Sequence, residues 1–211
     1  MQRRREATIT LMSTPSPVRS YFDKVAAGYH TASSKFVWGR IRRQEESVVR
    51  RLLGSVDGQD VLELGSGAGY YTRVLLSSGA RHVWAVDISQ NMLDGLPKDR
   101  VTPVLGDAAI VDVGRKFPML LSAGMLEFVP DPGAALVNAA KHAEPGALLV
   151  ILYPTLGLAG RAYRAFHRRN GIVIRLFTPG DIDALVAQSG WRIEETIASG
   201  PFSASARLIR A

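Results

Sequence analysis

Apolar residues recur along the chain in two patterns, which together predict strands alternating with helices. The first is a short apolar run, as in Val61-Leu62-Glu63-Leu64, which is typical of a strand buried in a parallel sheet. The second is an apolar face at helical spacing, bounded by glycine, proline or a capping residue. Strands are predicted over residues 61–64, 82–86, 101–105, 119–122, 147–153, 191–197 and 203–209. Helices are predicted over residues 21–30, 36–53, 70–78, 90–94, 132–142, 156–169 and 178–189.

This alternation predicts an α/β fold, with a Rossmann-like, mostly parallel sheet of about seven strands and helices on both faces. The 211 residues suffice for one domain with a substantial core. We expect residues 1–18 to be a flexible basic tail, because the prolines of Ser13-Thr-Pro-Ser-Pro17 disfavour a helix. Residues 19–211 would form a single domain, with N-terminal helices over 19–55 and a lid helix inserted over about 155–175.

Composition narrows the class of protein. The net charge is +7, but the basic residues are spread along the chain, which favours an arginine-rich surface over a nucleic-acid site. The absence of cysteine and of a histidine pair at i, i+4 spacing predicts that no metal is bound. No apolar run approaches the roughly 18 residues that span a bilayer. The N-terminus lacks the apolar region of a secretory signal, so we expect a cytoplasmic protein. We expect it to be a monomer or a homodimer.

A glycine-rich turn follows the first predicted strand and reads Gly65-Ser-Gly-Ala-Gly69. Glycine permits positive φ and lets a ligand lie directly against the backbone, although a tight strand-to-helix turn alone could explain the same residues. A dinucleotide fingerprint would need its third glycine at Tyr70 or Thr72, and a Walker loop would need Gly-Lys-Ser/Thr. The chain has neither. The pattern is instead Glu63-x-Gly65-x-Gly67-x-Gly69.

Acidic residues follow the next two strands. Asp87 ends the second strand, where a carboxylate can accept hydrogen bonds from both hydroxyls of a ribose. Asp107 follows the third strand and could accept from an adenine amino group, with the Ala108 N–H offered to a ring nitrogen. Asp107 could equally cap a following helix.

Five segments, in this order, resemble the class I S-adenosylmethionine (SAM)-dependent methyltransferases, and within them the ubiquinone/menaquinone-methyltransferase-like (type 11) branch. They are Val61 to Gly69, Val86-Asp-Ile-Ser89 with Met92-Leu93, Gly106-Asp-Ala108, Leu121 to Asp131, and Glu144-Pro-Gly-Ala147. The resemblance runs from about Phe22 to the C-terminus and implies strand order 3-2-1-4-5-7-6, with strand seven antiparallel. It also implies that Tyr21 to Tyr29 lies in a helix that covers the cofactor.

The resemblance implies SAM as cofactor, bound at the carboxyl ends of the strands. In that family Glu63 would order the loop and the methionine amine, Asp87 would bind the ribose, and Asp107 the adenine. The residues expected at the cofactor are Tyr21, Tyr29, Glu63, Gly65, Ser66, Gly67, Gly69, Asp87, Ile88, Met92, Asp107, Ala108, Ser122 and Ala123. The chain departs from the branch at Phe128, where histidine is frequent, and at His30, where aspartate is frequent.

The expected activity is methylation of a small apolar or aromatic acceptor on oxygen, nitrogen or carbon. The cofactor carries the activation, so the protein mainly aligns the reactants, although an oxygen or nitrogen acceptor can need a base. His30, Glu127 and His167 are the candidate bases. Glu127 could equally be a solvated loop carboxylate, and His167 a surface side chain beside Arg168 and Arg169. We interpret His82 and His142 as structural.

The helix predicted over residues 156–169 has two faces of different character. Leu158, Ala162, Tyr163 and Phe166 would form an apolar face, opposite Arg161, Arg164, Arg168 and Arg169. Phe128, Tyr153, Tyr163 and Phe166 are predicted to line the acceptor pocket. The arginines could hold an anionic group or rest on an anionic membrane, or the helix could serve packing only. The alternatives to a small acceptor are a lipid or nucleic-acid methyltransferase and a non-catalytic interaction protein with this fold.

Overall fold

The computed structural model describes residues 17–32 and 36–211, and side chains within 17–24 and 39–211. The helices are α1 (Pro17–Ala32), α2 (Phe36–Leu53), α3 (Tyr70–Ser77), α4 (Gln90–Leu93), α5 (Pro132–Lys141), α6 (Leu158–Arg169) and α7 (Pro179–Ala187). The strands are β1 (Asp60–Leu64), β2 (His82–Asp87), β3 (Val101–Leu105), β4 (Phe117–Ala123), β5 (Ala143–Pro154), β6 (Trp191–Ala198) and β7 (Ser203–Arg210).

The strands form one sheet in the order β3-β2-β1-β4-β5-β7-β6. Strands β1 to β5 pair in parallel, whereas β7 runs antiparallel to both β5 and β6. This confirms the predicted fold class and strand order. The carboxyl ends of β1, β2 and β4 therefore meet at one edge of the sheet, where an open α/β sheet binds its ligands.

Alternate side chains of the sheet supply two apolar clusters, one on each face. On one face Leu62, Leu120 and Leu149 pack with residues of α5 and α7. On the other, Val61, Leu121 and Val150 pack with residues of α2 and α3. Burial of each such side chain contributes roughly 1.5–3 kcal/mol, so the core fixes the strand ends that carry the site.

The N-terminal helix begins earlier than predicted. Pro17 and Val18, assigned from sequence to the tail, form the first residues of α1, because proline is well tolerated in a first helical turn. Asp23 ties α1 to the sheet: its Oδ1 accepts from Ser89 Oγ at 2.5 Å, and its carbonyl accepts from Asn91 Nδ2 at 3.1 Å. Thus α1 lies beside the carboxyl ends of the strands.

Residues 1–16 and 33–35 lie outside the described part of the chain. Among the residues described, none of the helices combines the length and apolar character that a membrane span requires.

Candidate active site

The glycine-rich turn has a backbone shape that depends on its glycines. Gly65, Gly67 and Gly69 have φ values of 77°, 52° and 84°, in the left-handed region that glycine adopts without cost. The N–H groups of Gly65 and Ser66 both donate to the carbonyl of Val86 at 2.9 Å, which fixes the turn to the end of β2.

Three glycines of one motif have three surroundings. A Cβ on Gly65 would lie 2.5 Å from Met125 Cβ, whereas one on Gly67 would have no atom within 4 Å. Gly67 therefore lies against open space, where a ligand can reach the backbone. A Cβ on Gly69 would lie 2.7 Å from Leu96 Cδ2, so this glycine, predicted to contact the cofactor, instead permits packing against Leu96.

Asp87 joins the glycine turn to the loop after β2. Its Oδ2 accepts from the Gly67 N–H at 2.8 Å, and its Oδ1 accepts from the Ser89 N–H at 2.9 Å. Burial raises the pKa of this carboxyl, and hydrogen bonds from the backbone N–H groups of Ser89, Gly67 and Ile88 oppose that shift. A carboxylate has about four lone-pair sites, so Asp87 keeps accepting capacity for a ligand hydroxyl.

Glu63 lies deeper, with only 2% of its surface exposed. Its Oε2 accepts from Thr72 Oγ1 at 2.6 Å, which fixes β1 to the first turns of α3. Burial raises the pKa of Glu63 to about 8, and the nearby negative charge of Asp87 adds to the rise. A cationic group beside Glu63 would lower that pKa again, because it would favour the ionised carboxylate.

A cavity of about 190 Å3 lies over these residues. The predicted residues on its wall are Glu63, Gly65, Ser66, Gly67, Asp87, Ile88, Met92, Asp107, Ala108, Ala123 and Phe128. Val18 and Phe22 of α1 also line it. We call this space the first cavity.

The predicted helix cap at Asp107 is a turn. Its Oδ1 accepts from the Ala109 N–H at 2.9 Å, and the described residues between β3 and β4 contain no helix. Asn138 on α5 holds this turn by donating to the carbonyls of Ala108 and Val111, at 3.1 and 2.8 Å. Asp107 and Ala108 therefore stay at the wall of the first cavity.

Several predicted cofactor residues lie elsewhere. Ser122 is buried in β4 and does not line the first cavity, because the alternation of the strand turns its neighbour Ala123 toward it instead. Tyr21 lines a different cavity. The side chains of Tyr29 and His30 lie outside the described residues.

A second cavity, of about 120 Å3, adjoins the first. Both are lined by Phe22, Arg42, Tyr71, Ala123, Gly124 and Phe128. The remaining wall of the second cavity comes from Tyr21, Glu45, Glu127, Leu152, Tyr153, Pro154, Tyr163, His167, Phe202 and Ser203. The end of β4 thus stands between two neighbouring spaces.

Aromatic rings form a continuous part of the second cavity's wall. The ring centroids of Phe22 and Phe128 are 5.0 Å apart, and those of Phe128 and His167 are 5.6 Å apart. Tyr163 lies edge-on to His167 at 4.5 Å and stacks on Phe202 at 4.6 Å. Phe128, Tyr153 and Tyr163, which the sequence predicted at an acceptor pocket, all lie on this wall.

The predicted apolar face of α6 is wrong. Leu158 is 88% exposed and Phe166 is 49% exposed, and Phe166 does not line the cavity. The inward face instead carries Gly160, Tyr163 and His167, spaced at helical intervals. A Cβ on Gly160 would lie 2.0 Å from the carbonyl oxygen of Thr155. Glycine at this position therefore lets α6 pack closely against the backbone at Thr155, and this contact fixes the rotation of α6 about its axis.

Glu127 and His167 are both buried beside the second cavity. Their exposed fractions are 5% and 9%, so Glu127 is not a solvated loop residue and His167 is not a surface residue. Glu127 Oε2 and His167 Nδ1 have no hydrogen-bond partner among the described residues. Burial raises the pKa of Glu127 to about 8 and lowers that of His167 to about 4, so both are largely uncharged at pH 7.

Sequence reasoning missed several site residues, among them Arg42, Glu45 and Tyr71. Arg42 lines both cavities, with its guanidinium 4.6 Å from the Tyr70 ring centroid. Arg42, Glu45 and the buried Val49 follow one another at helical spacing. That spacing was a signal that these polar residues share the inward face.

The two histidines interpreted as structural have structural contacts. His82 Nε2 lies 2.8 Å from Thr102 Oγ1, and His142 Nε2 lies 3.1 Å from the Val113 N–H that donates to it.

The known proteins that this chain resembles in sequence include methyltransferases for different substrates. Malonyl-[acyl-carrier protein] O-methyltransferase of Serratia marcescens is 30% identical over 145 residues, which are 66% of this chain and 52% of that protein. Ribosomal RNA small subunit methyltransferase A of Xanthobacter autotrophicus is 39% identical over 71 residues, 31% of this chain and 25% of that protein. The chain thus spans about a quarter to a half of these curated relatives.

Solved structures match over nearly their full length. Magnesium protoporphyrin IX methyltransferase of Synechocystis PCC 6803, with bound SAH, has a TM-score of 0.74 at 19% identity and covers 92% of this chain and 98% of its own. N-methyltransferase NodS of Bradyrhizobium japonicum has a TM-score of 0.71 at 16% identity, over 92% and 99%. At these identities the likeness shows the fold.

A family profile described as a methyltransferase domain matches residues 37–196. Because that match covers most of the chain, the protein belongs to the methyltransferase-domain family, with the class I fold of SAM-dependent methyltransferases.

Proposed function

We propose that this protein transfers the methyl group of SAM to a small apolar or aromatic acceptor bound in the second cavity. The observation that carries the proposal is the pair of adjacent cavities, which share Phe22, Ala123 and Phe128 on their common walls. One cavity has features that suit a nucleotide, and the other combines several aromatic rings with buried polar side chains. A donor and an acceptor held in such neighbouring spaces can react without diffusing together.

The residues of the first cavity fit the cofactor. Asp87 keeps lone pairs for the ribose hydroxyls, and Gly67 leaves open space beside its backbone. Glu63 is a buried carboxylate that a cationic amine would stabilise in its ionised form. Ser66 Oγ, which is buried and has no partner among the described residues, is a further polar contact. When bound, SAM supplies an electrophilic methyl carbon whose bond to sulfur breaks, leaving its electron pair on sulfur.

The residues of the second cavity would orient the acceptor and exclude water. The rings of Phe128, Tyr163 and Phe202 offer apolar surface, whose burial contributes roughly 25 cal/mol per Å2. Of the two buried candidate bases, Glu127 is better matched to the task at neutral pH. Its pKa of about 8 makes the ionised form a much stronger proton acceptor than His167, whose pKa is about 4.

A membrane-bound acceptor is a second candidate, favoured by the outer surface of α6. Leu158 and Phe166 are exposed there, and Arg161, Arg164, Arg168 and Arg169 are exposed beside them. Apolar and cationic side chains together suit an anionic lipid surface. Nucleic acid is less well supported, because the ribosomal RNA methyltransferases that resemble this chain match 30–52% of its length.

The direct test is methyl transfer from labelled SAM to a panel of small acceptors, in the presence of EDTA. We expect transfer to apolar or aromatic acceptors, unchanged by EDTA, because the described residues contain no cluster of metal-ligating side chains. Calorimetry should show SAM binding and no NAD binding. A folded sample that gives no heat with SAM would disprove the proposal. SAM binding without transfer to any acceptor would favour a non-catalytic role.

The membrane alternative has its own readout. Co-sedimentation with phosphatidylglycerol vesicles, but not with phosphatidylcholine vesicles, would support an acceptor presented by an anionic lipid surface. Equal recovery in the supernatant with both vesicles would leave the small soluble acceptor as the better explanation.

A further inference from the structure

We propose that the acceptor is an amine, bound as its ammonium ion between Glu127 Oε2 and His167 Nδ1 inside the aromatic wall of the second cavity. This inference rests on the proposed function and specifies its substrate class. It follows from three properties of the cavity, which are its unpartnered acceptors, its charge balance and its rings.

The polar atoms that lack partners call for a ligand with several donors. Glu127 and His167 both line this cavity, and their Oε2 and Nδ1 atoms are buried with no hydrogen-bond partner among the described residues. An ionised carboxylate can only accept hydrogen bonds, and a neutral imidazole presents one accepting nitrogen. An ammonium group brings three N–H donors, whereas an alcohol brings one and a carboxylate brings none. The ammonium group is therefore the best match.

Among the described residues, the charge that acts on Glu127 is a like charge and not a counter-ion. The titratable side chains on the wall are Tyr21, Arg42, Glu45, Tyr71, Glu127, Tyr153, Tyr163 and His167. Arg42 acts on Glu45, lowering its pKa against the effect of burial, and Ser203 Oγ donates to Glu45 Oε1 at 2.7 Å. The charge that acts on Glu127 is Glu45, which has the same sign.

A buried carboxylate in this position takes up a proton instead of remaining charged. Burial and Glu45 together raise the pKa of Glu127 to about 8. A cation within reach of Oε2 would favour the ionised form again, so the site gains most from a positively charged ligand.

The rings add a second attraction for a cation. A cation within about 6 Å of an aromatic face gains roughly 0.5–2 kcal/mol, more where water is excluded. Phe22, Phe128, Tyr163 and Phe202 all border this space. An apolar amine would satisfy both features, with its hydrocarbon part against the rings and its charged end at Glu127.

The same arrangement supplies the proton acceptor that an ammonium ion needs. The nitrogen of an ammonium ion has no lone pair and cannot attack carbon. Transfer of one N–H proton to Glu127 Oε2 leaves the electron pair on nitrogen and produces the neutral carboxylic acid. The proton later returns to solvent, which restores the carboxylate for the next amine.

Calorimetry on the full chain saturated with S-adenosylhomocysteine tests the inference with three probes of similar shape. These are phenethylamine, 2-phenylethanol and phenylacetate, which carry a cation, a neutral hydroxyl and an anion. At pH 7 we expect phenethylamine to bind at least about tenfold more tightly than either of the others, the equivalent of about 1.4 kcal/mol. Absence of amine binding at millimolar concentration, or tighter binding of the alcohol or the anion, would overturn the inference.

Proton release gives an independent readout. At pH 7 Glu127 is below its pKa of about 8 and mostly protonated, so binding an ammonium ion should expel close to one proton. The binding heat should then differ between buffers of different ionisation enthalpy for the amine but not for the alcohol. The amine's affinity should rise between pH 6.5 and 8.5. Equal heats in both buffers contradict the assignment.

Glu127→Gln removes the charge and nearly preserves the shape. It should abolish the amine preference and the proton release, and leave S-adenosylhomocysteine affinity within about twofold, because Glu127 does not line the first cavity. Glu144→Gln is the matched control, because Glu144 is exposed on β5. A retained amine preference in Glu127→Gln would refute the role of Glu127. Failure of S-adenosylhomocysteine to bind the wild-type protein would instead refute the proposed function.

Discussion

The two cavities are built in different ways. The first cavity takes its shape from the ends of β1, β2 and β3 and the short loops after them, with Gly65 directly after β1, Asp87 at the end of β2 and Asp107 in the loop after β3. The second takes its wall from distant parts of the chain, from Tyr21 on α1 to Ser203 on β7. Local motifs therefore determine the first cavity, whereas tertiary packing determines the second. One fold can in this way keep its cofactor and vary its acceptor.

The two cavities also differ in the hydrogen bonds that their polar side chains already make. In the first cavity Asp87 accepts two backbone N–H groups and Glu63 accepts the Thr72 hydroxyl. In the second, Glu127 and His167 each keep a buried atom with no partner among the described residues. The first cavity also has a buried atom without a partner among the described residues, Ser66 Oγ, so the two differ in kind: a hydroxyl in the first, against a carboxylate oxygen and an imidazole nitrogen in the second.

The largest effect is expected at the glycine turn. Gly65→Ala places a Cβ 2.5 Å from Met125 Cβ in a residue with φ of 77°, and Gly58→Ala tests the positive φ alone, because a Cβ there would have no atom within 4 Å. The left-handed backbone costs about 1–2 kcal/mol in both variants, and the clash adds about 1–3 kcal/mol in Gly65→Ala. Chemical denaturation should show this difference, and calorimetry should show SAM binding lost only in Gly65→Ala. Equal losses of stability would mean that the Met125 contact relaxes.

Asp87 comes next in expected size. Asp87→Ala removes the acceptor for the Gly67 and Ser89 N–H groups and for the predicted ribose hydroxyls. We expect SAM affinity to fall by roughly 1.5–3 kcal/mol, the range for hydrogen bonds to a charged group. Calorimetry measures the loss, and Asp112→Ala, at an exposed loop carboxylate, is the control. Unchanged affinity in Asp87→Ala would show that Asp87 is not the ribose ligand.

Much of the fold could be predicted from sequence, because buried parallel strands read as apolar runs whatever their neighbours are. The strand Val101–Leu105 has the bounds predicted for it. Strand order came from the resemblance, because pairing between β5 and β7 leaves no local signal. The type 11 branch remains a prediction.

The cofactor side was predictable for a similar reason. Gly65, Gly67 and Asp87 are recognisable because each has a local backbone role at a strand end. The wall of the second cavity was predicted only in part, through its aromatic residues Phe128, Tyr153 and Tyr163. Its polar residues Arg42 and Glu45 lie on α2 among many charged neighbours, where their spacing from Val49 was the one sequence signal that these two turn inward.

The face of α6 shows the same limit. Arginines surround the whole helix, so Leu158 and Phe166 read as parts of an inward stripe. The contact of Gly160 with Thr155 and the stacking of Tyr163 on Phe202 decide the rotation instead. Both contacts depend on segments outside the helix, which its own periodicity cannot reveal.

The smallest of these effects separates Tyr163 from Phe166, two aromatic residues of one helix. Tyr163 lines the second cavity and stacks on Phe202, whereas Phe166 is 49% exposed and does not line that cavity. An aromatic pair contributes about 0.5–1.5 kcal/mol, so Tyr163→Ala should lower kcat/KM for the acceptor by roughly two- to twelvefold. Cofactor affinity should be unchanged, because neither residue lines the first cavity. Phe166→Ala is the matched control and should stay within about twofold of wild type with a soluble acceptor.

If Phe166→Ala lowers turnover as much as Tyr163→Ala does, the acceptor also contacts the outer surface of α6. Vesicle binding that is lost in Phe166→Ala would then favour the lipid acceptor over the soluble one.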